Sequence, residues 1–266
     1  MKIKKYIFAV KLSIRNRLEY RFNTLMGIAT RLLFFIALYS LWKLIYSTRD
    51  LIKGQSFEQM ISYTLLAVIV ASLVDTNIGR KVYKEIKDGQ ISIYLLKPMD
   101  YITYFLSKNF GIFLFEFVIA AIIFAIILFT IPQLTFTFDP QRIIGFLLAL
   151  IFGLIIYCQL YLIIGNLTFW IIESEFLIST VKKLAIFLAG GYLPIILFPE
   201  LLQSILKFLP FTATIYFPTT ILTAPKLSIG SLIHNLVIQI VWILILLKFN
   251  YWLWQKGIRH YESVGI

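Results

Sequence analysis

The feature that most constrains this chain is a series of long apolar blocks separated by short charged segments. Each block approaches or exceeds the ~20 residues that an α-helix needs to cross a bilayer. Of the 266 residues, 60% are hydrophobic and 14% are charged, whereas soluble domains have about 25% charged residues. The blocks also lack the apolar–polar alternation of barrel strands. The sequence therefore predicts an all-α integral membrane protein.

Six membrane-spanning helices are predicted within residues 23–250. Their approximate ranges are 23–46, 59–78, 105–131, 143–170, 183–203 and 231–250. The fourth range is longer than a bilayer requires, which predicts a tilted helix or one that projects beyond the membrane. The fifth range is interrupted by Gly190, Gly191 and Pro194.

Residues 1–22 predict an amphipathic helix that lies in the cytoplasmic membrane interface. At 100° per residue, most of the apolar side chains fall on one side of the helix and most of the basic ones fall on the other. The alternative is the first half of a long membrane helix. The seven Lys and Arg residues in this segment argue against that alternative.

The distribution of basic residues predicts the orientation. If the N-terminus is inside, 18 Lys and Arg lie in inner segments and five lie in outer segments. Cytoplasmic loops carry the excess of basic residues, so both termini, including the tail at 251–266, are expected in the cytoplasm. The net charge of +12 then reflects loops on an anionic inner (plasma) membrane and its lipids, and not nucleic-acid binding.

Polar residues inside the predicted spans are candidate functional positions. Arg31 and Glu116 lie at similar depths from the cytoplasmic side, and an ionisable group in lipid is usually paired, so we expect them to form a buried ion pair. That pair is either structural or part of a substrate or proton pathway. Gln159 and Asn166, two turns apart on the fourth span, either line a pathway or bridge helices through hydrogen bonds.

The outer segment from 199 to 228 is apolar but rich in proline. Pro199 and Glu200 together indicate a helix start, since proline suits the first helical position and a carboxylate suits the positive end of the helix dipole. Pro210 ends that helix, and a further short turn containing Pro218 is expected near Tyr216 to Leu222. The pattern predicts short re-entrant helices in the outer leaflet. The alternative is an exposed extracellular loop, which would not carry so many Leu, Ile and Phe residues.

The sequence shows no catalytic or energy-coupling motif. GxxxxGK[ST], GxGxxG after a strand and HExxH are absent, so we expect this chain to have no catalytic residue and to bind no cofactor. The single cysteine, Cys158, lies in an apolar block, and His234 and His260 are far apart. No metal site is therefore predicted.

A polar elbow at 79–104 separates the second and third predicted spans. Asp88 and Gly89 indicate a helix end, because glycine accepts the left-handed conformation, and Pro98 ends a short amphipathic helix that begins near Gln90. This piece either rests on lipid headgroups or presents an apolar face to a soluble partner. Its candidate docking residues are Lys87, Gly89, Ile91, Tyr94, Leu95 and Pro98.

The chain resembles the permease subunits of type-2 ABC transporters, in the branch with six spans and no fused ATPase. The resemblance covers almost the whole length. It rests on LEYRFN before the first span, DGQISIYLLKP in the elbow, FPELLQSILKFLPF…IYFP in the outer segment and WQKGIRHYESVG in the tail.

The resemblance implies an ABC exporter fold and several partners. Two permease subunits, as a homodimer or a heterodimer, would form the membrane core, and soluble ABC ATPase subunits on separate chains would bind ATP and Mg. The elbow would be the coupling helix that docks on the ATPase. The N-terminal helix would be the connecting helix, and the outer segment with Pro199, Glu200, Pro210 and Pro218 would help close the exit.

Two other functions are compatible with a polytopic membrane protein. In an ion-driven secondary transporter, Arg31 and Glu116 would be coupling groups, but the expected pair of similar halves with matched broken helices is missing. A lipid-modifying membrane enzyme would need clustered His, Asp or Glu residues at one interface, and the sequence indicates no such cluster.

Overall fold

The computed structural model describes residues 2–19, 21–75, 77–92, 100–171 and 175–261, without the side chains of residues 2, 3, 21 and 23. These ranges contain ten α-helices and no β-strand, apart from an isolated bridge between Ile52 and Gln55. The helices are α1 (Lys2–Glu19), α2 (Arg21–Ile45), α3 (Phe57–Val74), α4 (Ile78–Lys87), α5 (Tyr101–Thr130), α6 (Pro140–Asn166), α7 (Glu175–Leu188), α8 (Glu200–Phe208), α9 (Tyr216–Thr223) and α10 (Ile229–His260).

Five stretches of the described chain are long and apolar enough to cross a membrane. They are Thr24–Ile45, Phe57–Lys87, Tyr101–Thr130, Pro140–Phe169 and Ile229–His260. These stretches contain α2, α3, α5, α6 and α10, so the helical membrane architecture predicted from the sequence is confirmed at this level.

The fifth predicted span, 183–203, is not a continuous helix. α7 ends at Leu188, and a short 3₁₀ turn (Ile195–Leu197) and α8 follow. At 1.5 Å per residue, the 14 residues of α7 extend about 21 Å, which is shorter than the ~30 Å hydrocarbon core. The interruption expected at Gly190, Gly191 and Pro194 is present, and a sixth crossing stays a prediction.

The N-terminal helix α1 packs closely against α5. A Cβ atom on Gly111 of α5 would lie 2.5 Å from the carbonyl oxygen of Val10 and 3.0 Å from Cβ of Ser13. Real Cβ atoms do not approach backbone atoms that closely, so only glycine fits between the two helices here. α1 therefore packs directly against α5 at Gly111. It also has the amphipathic pattern of an interfacial helix.

The α3 helix lies at the centre of the bundle. It begins with a capping box, in which the Ser56 hydroxyl accepts from Gln59 N and the Gln59 side chain accepts from Ser56 N. Two-thirds of this helix is buried, and its apolar residues share the main hydrophobic cluster with α4, α5, α6 and α9. In α2, α5 and α10, by contrast, only a small share of the residues is buried, and most of their apolar side chains are partly or fully exposed.

Buried amide side chains join α6 to α10. Gln239 Nε2 donates to the carbonyl oxygens of Ala149 at 2.9 Å and Ala213 at 2.7 Å, and Gln239 is fully buried. Nearly three turns further along α6, Gln159 Nε2 donates to the carbonyl of Ile243 at 3.2 Å, and Asn250 Nδ2 donates to the carbonyl of Gln159 at 3.0 Å. These bonds fix the register of the two helices along their length.

We predict that Gln239→Leu lowers the free energy of unfolding by about 1–2 kcal/mol, because leucine keeps the volume but removes both hydrogen bonds. Thermal unfolding of the purified chain in a non-ionic detergent measures the change. Gln141→Leu is the matched control, because Gln141 is exposed at the start of α6. Equal stability of the two variants would show that the buried amide does not hold α10 in place.

Candidate functional site

The first half of the elbow is α4, an amphipathic helix with a basic exposed side. Ile78, Val82 and Ile86 are buried, and the Val82 side chain contacts α6 so closely that a Cβ on Gly165 would lie 2.8 Å from its Cβ. The α4 helix ends at Lys87, which is exposed and donates from Nζ to the Tyr83 hydroxyl at 3.1 Å. α4 is therefore fixed to the bundle through its apolar face.

The predicted helix end at Gly89 is confirmed. Gly89 has φ of +72°, and its N–H donates to the Ile86 carbonyl at 3.2 Å. A positive φ of this size is unfavourable for residues with a Cβ, so glycine is required for the chain to turn away from α4.

The expectation for Ile91 requires a correction. Ile91 was expected to face a soluble partner, but its side chain is fully buried in the main hydrophobic cluster of this chain. Ile91 lies two residues after the turn at Gly89. Its apolar contacts are therefore with the core of this chain and not with a partner. Tyr94, Leu95 and Pro98 lie outside the described residues.

The chain returns to the bundle from the elbow at Asp100, where three helices meet. The Asp100 carboxylate caps α5 by accepting from Thr103 N at 2.8 Å, and it also accepts from the Tyr251 hydroxyl of α10 at 2.9 Å. Asp100 N donates to the Tyr6 hydroxyl of α1 at 3.2 Å. The far end of the elbow is thus tied to α1, α5 and α10 at one residue. This junction was not predicted from the sequence, although an Asp directly before an apolar helical run is a recognisable N-cap signal.

Arg31 and Glu116 form the expected ion pair, with Arg31 Nη1 2.8 Å from Glu116 Oε2. Arg17 of α1 adds a second cation that the sequence analysis did not identify, with Nη2 3.7 Å from Glu116 Oε1. The Glu116 side chain is 6% exposed, whereas those of Arg31 and Arg17 are 36% and 31% exposed. One buried carboxylate on α5 therefore binds two half-exposed arginines and joins α1, α2 and α5.

Gln159 and Asn166 occupy different surroundings. Gln159 bridges α6 to α10, which is the helix-bridging alternative of the sequence analysis. Asn166 is the last residue of α6 and is fully buried, and its amide atoms have no hydrogen-bond partner among the described residues. The structure does not bring these two side chains together into a single site.

The outer segment contains the two short helices that the sequence predicted. Pro199 was expected at the first helical position, but it is the N-cap residue, and α8 begins one residue later at Glu200. Leu209 ends that helix directly before the buried Pro210. Pro218 lies in the first turn of α9, where its missing N–H is not needed for a helical hydrogen bond. The re-entrant position of these helices in a membrane stays a prediction.

Polar contacts fasten the outer segment to the bundle. Arg142 of α6 donates from Nη1 to the Ala224 carbonyl at 2.5 Å and to the Ile221 carbonyl at 3.3 Å, and these carbonyls belong to the end of α9. The Tyr63 hydroxyl of α3 donates to the Gly190 carbonyl at 2.8 Å. The segment between α7 and α10 is therefore held by side chains of α3 and α6, which bond to the carbonyls of Gly190, Ile221 and Ala224.

The Arg17–Arg31–Glu116 contacts predict unequal effects of mutation. Glu116→Gln should lower the free energy of unfolding by about 2 kcal/mol, because two neighbouring cations lose their shared counterion. Arg31→Gln should lower it by about 1 kcal/mol, since Arg17 still compensates the carboxylate. Thermal unfolding in detergent measures both values.

In this series, Arg15→Gln is the control, because Arg15 lies on the exposed side of α1. The double variant Arg17→Gln/Arg31→Gln should lose more stability than the two single variants combined, because it leaves Glu116 buried without a cation. Strict additivity of the single variants would rule out a shared carboxylate.

Among the described residues, no group of three or more His, Cys, Asp and Glu side chains is arranged to hold a metal ion. The described residues form a helical bundle with a polar elbow tied to three helices and an outer segment of short helices.

A comparison with curated proteins gives no match. The model of the family described as ABC-2 family transporter protein matches residues 32–265, which is most of the chain. The chain therefore belongs to the ABC-2 transporter family and is a multi-pass membrane permease component of an ABC transporter.

Proposed function

We propose that this chain is the permease subunit of an exporter driven by ATP that separate ABC ATPase subunits hydrolyse. The observation that carries the proposal is the family match together with the elbow between α3 and α5. Family membership implies association with ABC ATPase components. ATP and Mg are assigned to those chains, because the sequence of this one contains no phosphate-loop motif.

The elbow is proposed as the surface that docks on the ATPase. Its first end is fixed by the burial of α4 and Ile91 in the bundle, and its second end is fixed by Asp100. A movement of the docked ATPase against the elbow would therefore be transmitted through Asp100 to α1, α5 and α10. Because Ile91 is committed to the core, we assign docking to Tyr94 and Leu95, with the exposed Lys87 at the rim.

A second permease subunit is proposed to complete the translocation path. The outward faces of α2, α5 and α10 are apolar over most of their length. Such faces require lipid or another apolar protein surface, because contiguous apolar patches of this size are unfavourable in water. A second copy of this chain or a similar permease would cover part of this surface, and membrane lipids would cover the remainder.

We assign both termini to the cytoplasm. The support is the distribution of Lys and Arg residues, with α1, α4 and the end of α10 on the basic side. In this orientation the elbow and the Arg17–Arg31–Glu116 contacts face the inside. The short helices α8 and α9 then lie at the outer side, where we propose that they help close the exit.

We predict that Tyr94→Asp combined with Leu95→Asp leaves membrane insertion intact but prevents assembly with the ATPase or uncouples ATP hydrolysis from export. Two carboxylates would be placed in an apolar docking contact, which costs several kcal/mol. The test is co-purification with the co-expressed ABC ATPase and an export assay in vesicles. Leu51→Asp is the control, because Leu51 is an exposed apolar residue in the loop between α2 and α3.

Normal assembly and coupled export by the Tyr94/Leu95 double variant would show that the elbow only rests on lipid headgroups.

The purified permease alone is expected to show no ATP hydrolysis. Turnover that persists after every contaminating ATPase is removed would contradict the proposed division between the two chains.

The orientation is tested by cysteine labelling in a Cys158→Ala background, because Cys158 is the single cysteine and is buried. A membrane-impermeant maleimide should label Arg49→Cys and Lys226→Cys in intact cells. It should label Lys84→Cys and Lys256→Cys only after the cells are lysed. The reverse pattern would invert the proposed topology.

A further inference from the structure

The helix α7 lies between the elbow and the outer segment, and one of its faces packs on the bundle. Ile178 and Ala185 are buried, and Lys182 lies between them on the same face, whereas Phe176 and Leu184 are exposed. Along the chain, α7 follows α6 and leads towards α8. What α7 can transmit therefore depends on the contacts at its two ends.

Two ion pairs join the first half of α7 to the corner between α3 and α4. Arg80 Nε of α4 lies 3.2 Å from Glu175 Oε1, and Lys182 Nζ lies 2.5 Å from Oδ1 of Asp75, the C-cap residue of α3. Lys182 Nζ also donates to Oδ1 of Asn77, directly before α4, at 3.5 Å. α7 supplies the anion of one pair and, about two turns further on, the cation of the other. The two pairs therefore fix both the position and the direction of α7 against the corner.

Between these two ion pairs in the sequence, α4 packs directly against α7. A Cβ atom on Gly79 would lie 3.4 Å from Cγ2 of Ile178 and 3.0 Å from the carbonyl oxygen of Tyr161 in α6. Ile178 is buried. The first turn of α4 is thus enclosed by α6 and α7, and α4 cannot shift towards α7 without displacing it.

The far end of α7 contacts α3 and the outer segment. Gly190 follows the helix with φ of +80°, and its carbonyl accepts from the Tyr63 hydroxyl of α3 at 2.8 Å. A Cβ atom on Gly190 would lie 3.3 Å from Cβ of Tyr216, and one on Gly191 would lie 3.3 Å from Cδ1 of Ile215. Ile215 and Tyr216 form the start of α9. A displacement of α7 along its axis would therefore be delivered to α9.

The two ion pairs are exposed enough to be removed without unfolding the chain. The side chains of Arg80 and Glu175 are 52% and 51% exposed, and those of Lys182 and Asp75 are 25% and 36% exposed. Pairs that reach solvent contribute little to folding stability. Their removal therefore tests the connection between the elbow and α7 and not the fold.

We propose that Asp75, Arg80, Glu175 and Lys182 are positioning residues, which pass a movement of the elbow through α7 to the outer segment. The 14 residues of α7 form one continuous helix of about 21 Å, so its two ends move together. The inference rests on the proposed function, because the elbow moves when an ATPase docks on it. It adds a route to the exit helices that is separate from the junction at Asp100, which is tied to α1, α5 and α10.

The first experiment uses the purified full chain in a non-ionic detergent and needs no ATPase. Hydrogen exchange is followed at the amides of Ala189, Gly190 and Gly191, which donate to carbonyls in the last turns of α7. In Arg80→Gln/Lys182→Gln these amides should exchange severalfold faster, because the whole helix is released and not only its first turns.

Lys84→Gln/Lys183→Gln is the matched control, because it also removes one cation from α4 and one from α7. Both lysines are exposed, and neither forms an ion pair with a described residue. This variant should exchange like the unmodified chain. Faster exchange that is confined to the first turns of α7 in Arg80→Gln/Lys182→Gln would show a local role of the ion pairs and overturn the proposal.

The second experiment uses the complex with the co-expressed ABC ATPase, in a Cys158→Ala background that carries Lys207→Cys on α8. The rate at which a maleimide labels this position is compared without nucleotide and after trapping with ATP and vanadate. With both ion pairs intact, the two rates should differ severalfold. In Arg80→Gln/Lys182→Gln this difference should disappear, although the ATPase still co-purifies and hydrolyses ATP.

Charge exchange separates the ion pair from other roles of the same residues. Glu175→Arg places two guanidinium groups opposite each other and should weaken the nucleotide response, whereas Arg80→Glu combined with Glu175→Arg should restore it. An unmodified chain that does not assemble with the ATPase would contradict the proposed function, and the hydrogen exchange of the permease alone would then still decide whether α7 connects its two ends. A normal nucleotide response in Arg80→Gln/Lys182→Gln, or no restoration by the exchanged pair, would overturn the proposed route.

Discussion

The absence of water from the hydrocarbon core is the constraint on which the rest of this structure depends. A polar group there must find its partner inside the protein, since an unsatisfied group costs several kcal/mol. The contacts of Gln239, Arg142 and Glu116 follow from this requirement. Gln239 donates to the carbonyls of Ala149 within α6 and of Ala213 between α8 and α9. Arg142 donates to carbonyls at the end of α9, and Glu116 binds two arginines. The irregular outer segment is possible because neighbouring helices supply donors to it.

Much of the fold follows from patterns that are local in the sequence. Helix length depends on apolar blocks, and the ends of α4, α8 and α9 depend on Gly89, Leu209-Pro210 and the residues around Tyr216, so these features could be predicted. The Arg31–Glu116 pair could also be predicted, because the cost of a charge in lipid leaves few alternatives and depth can be counted along a helix.

The features that sequence reasoning missed depend on how the helices pack. Arg17 was assigned to an interfacial helix, and nothing in its sequence neighbourhood indicates that α1 would reach a carboxylate on α5. Ile91 was expected to face outward because the apolar face of a short amphipathic helix looks the same whether it meets a partner or its own bundle. The interruption of the fifth helix was predicted, but its start at Glu175 was not, because Lys182 and Lys183 suggested a charged connection before residue 183.

The close seat of α1 on Gly111 has a consequence for biogenesis. The ribosome makes α1 about 100 residues before the groove that receives it, and synthesis proceeds at roughly 5–20 residues per second. For several seconds the N-terminal helix therefore has no protein surface to bind. In the proposed orientation, its basic residues would hold it on the anionic inner leaflet during that interval, and docking becomes possible when α5 has entered the bilayer. α1 thus completes its packing against α5 late, although it is synthesised before α5.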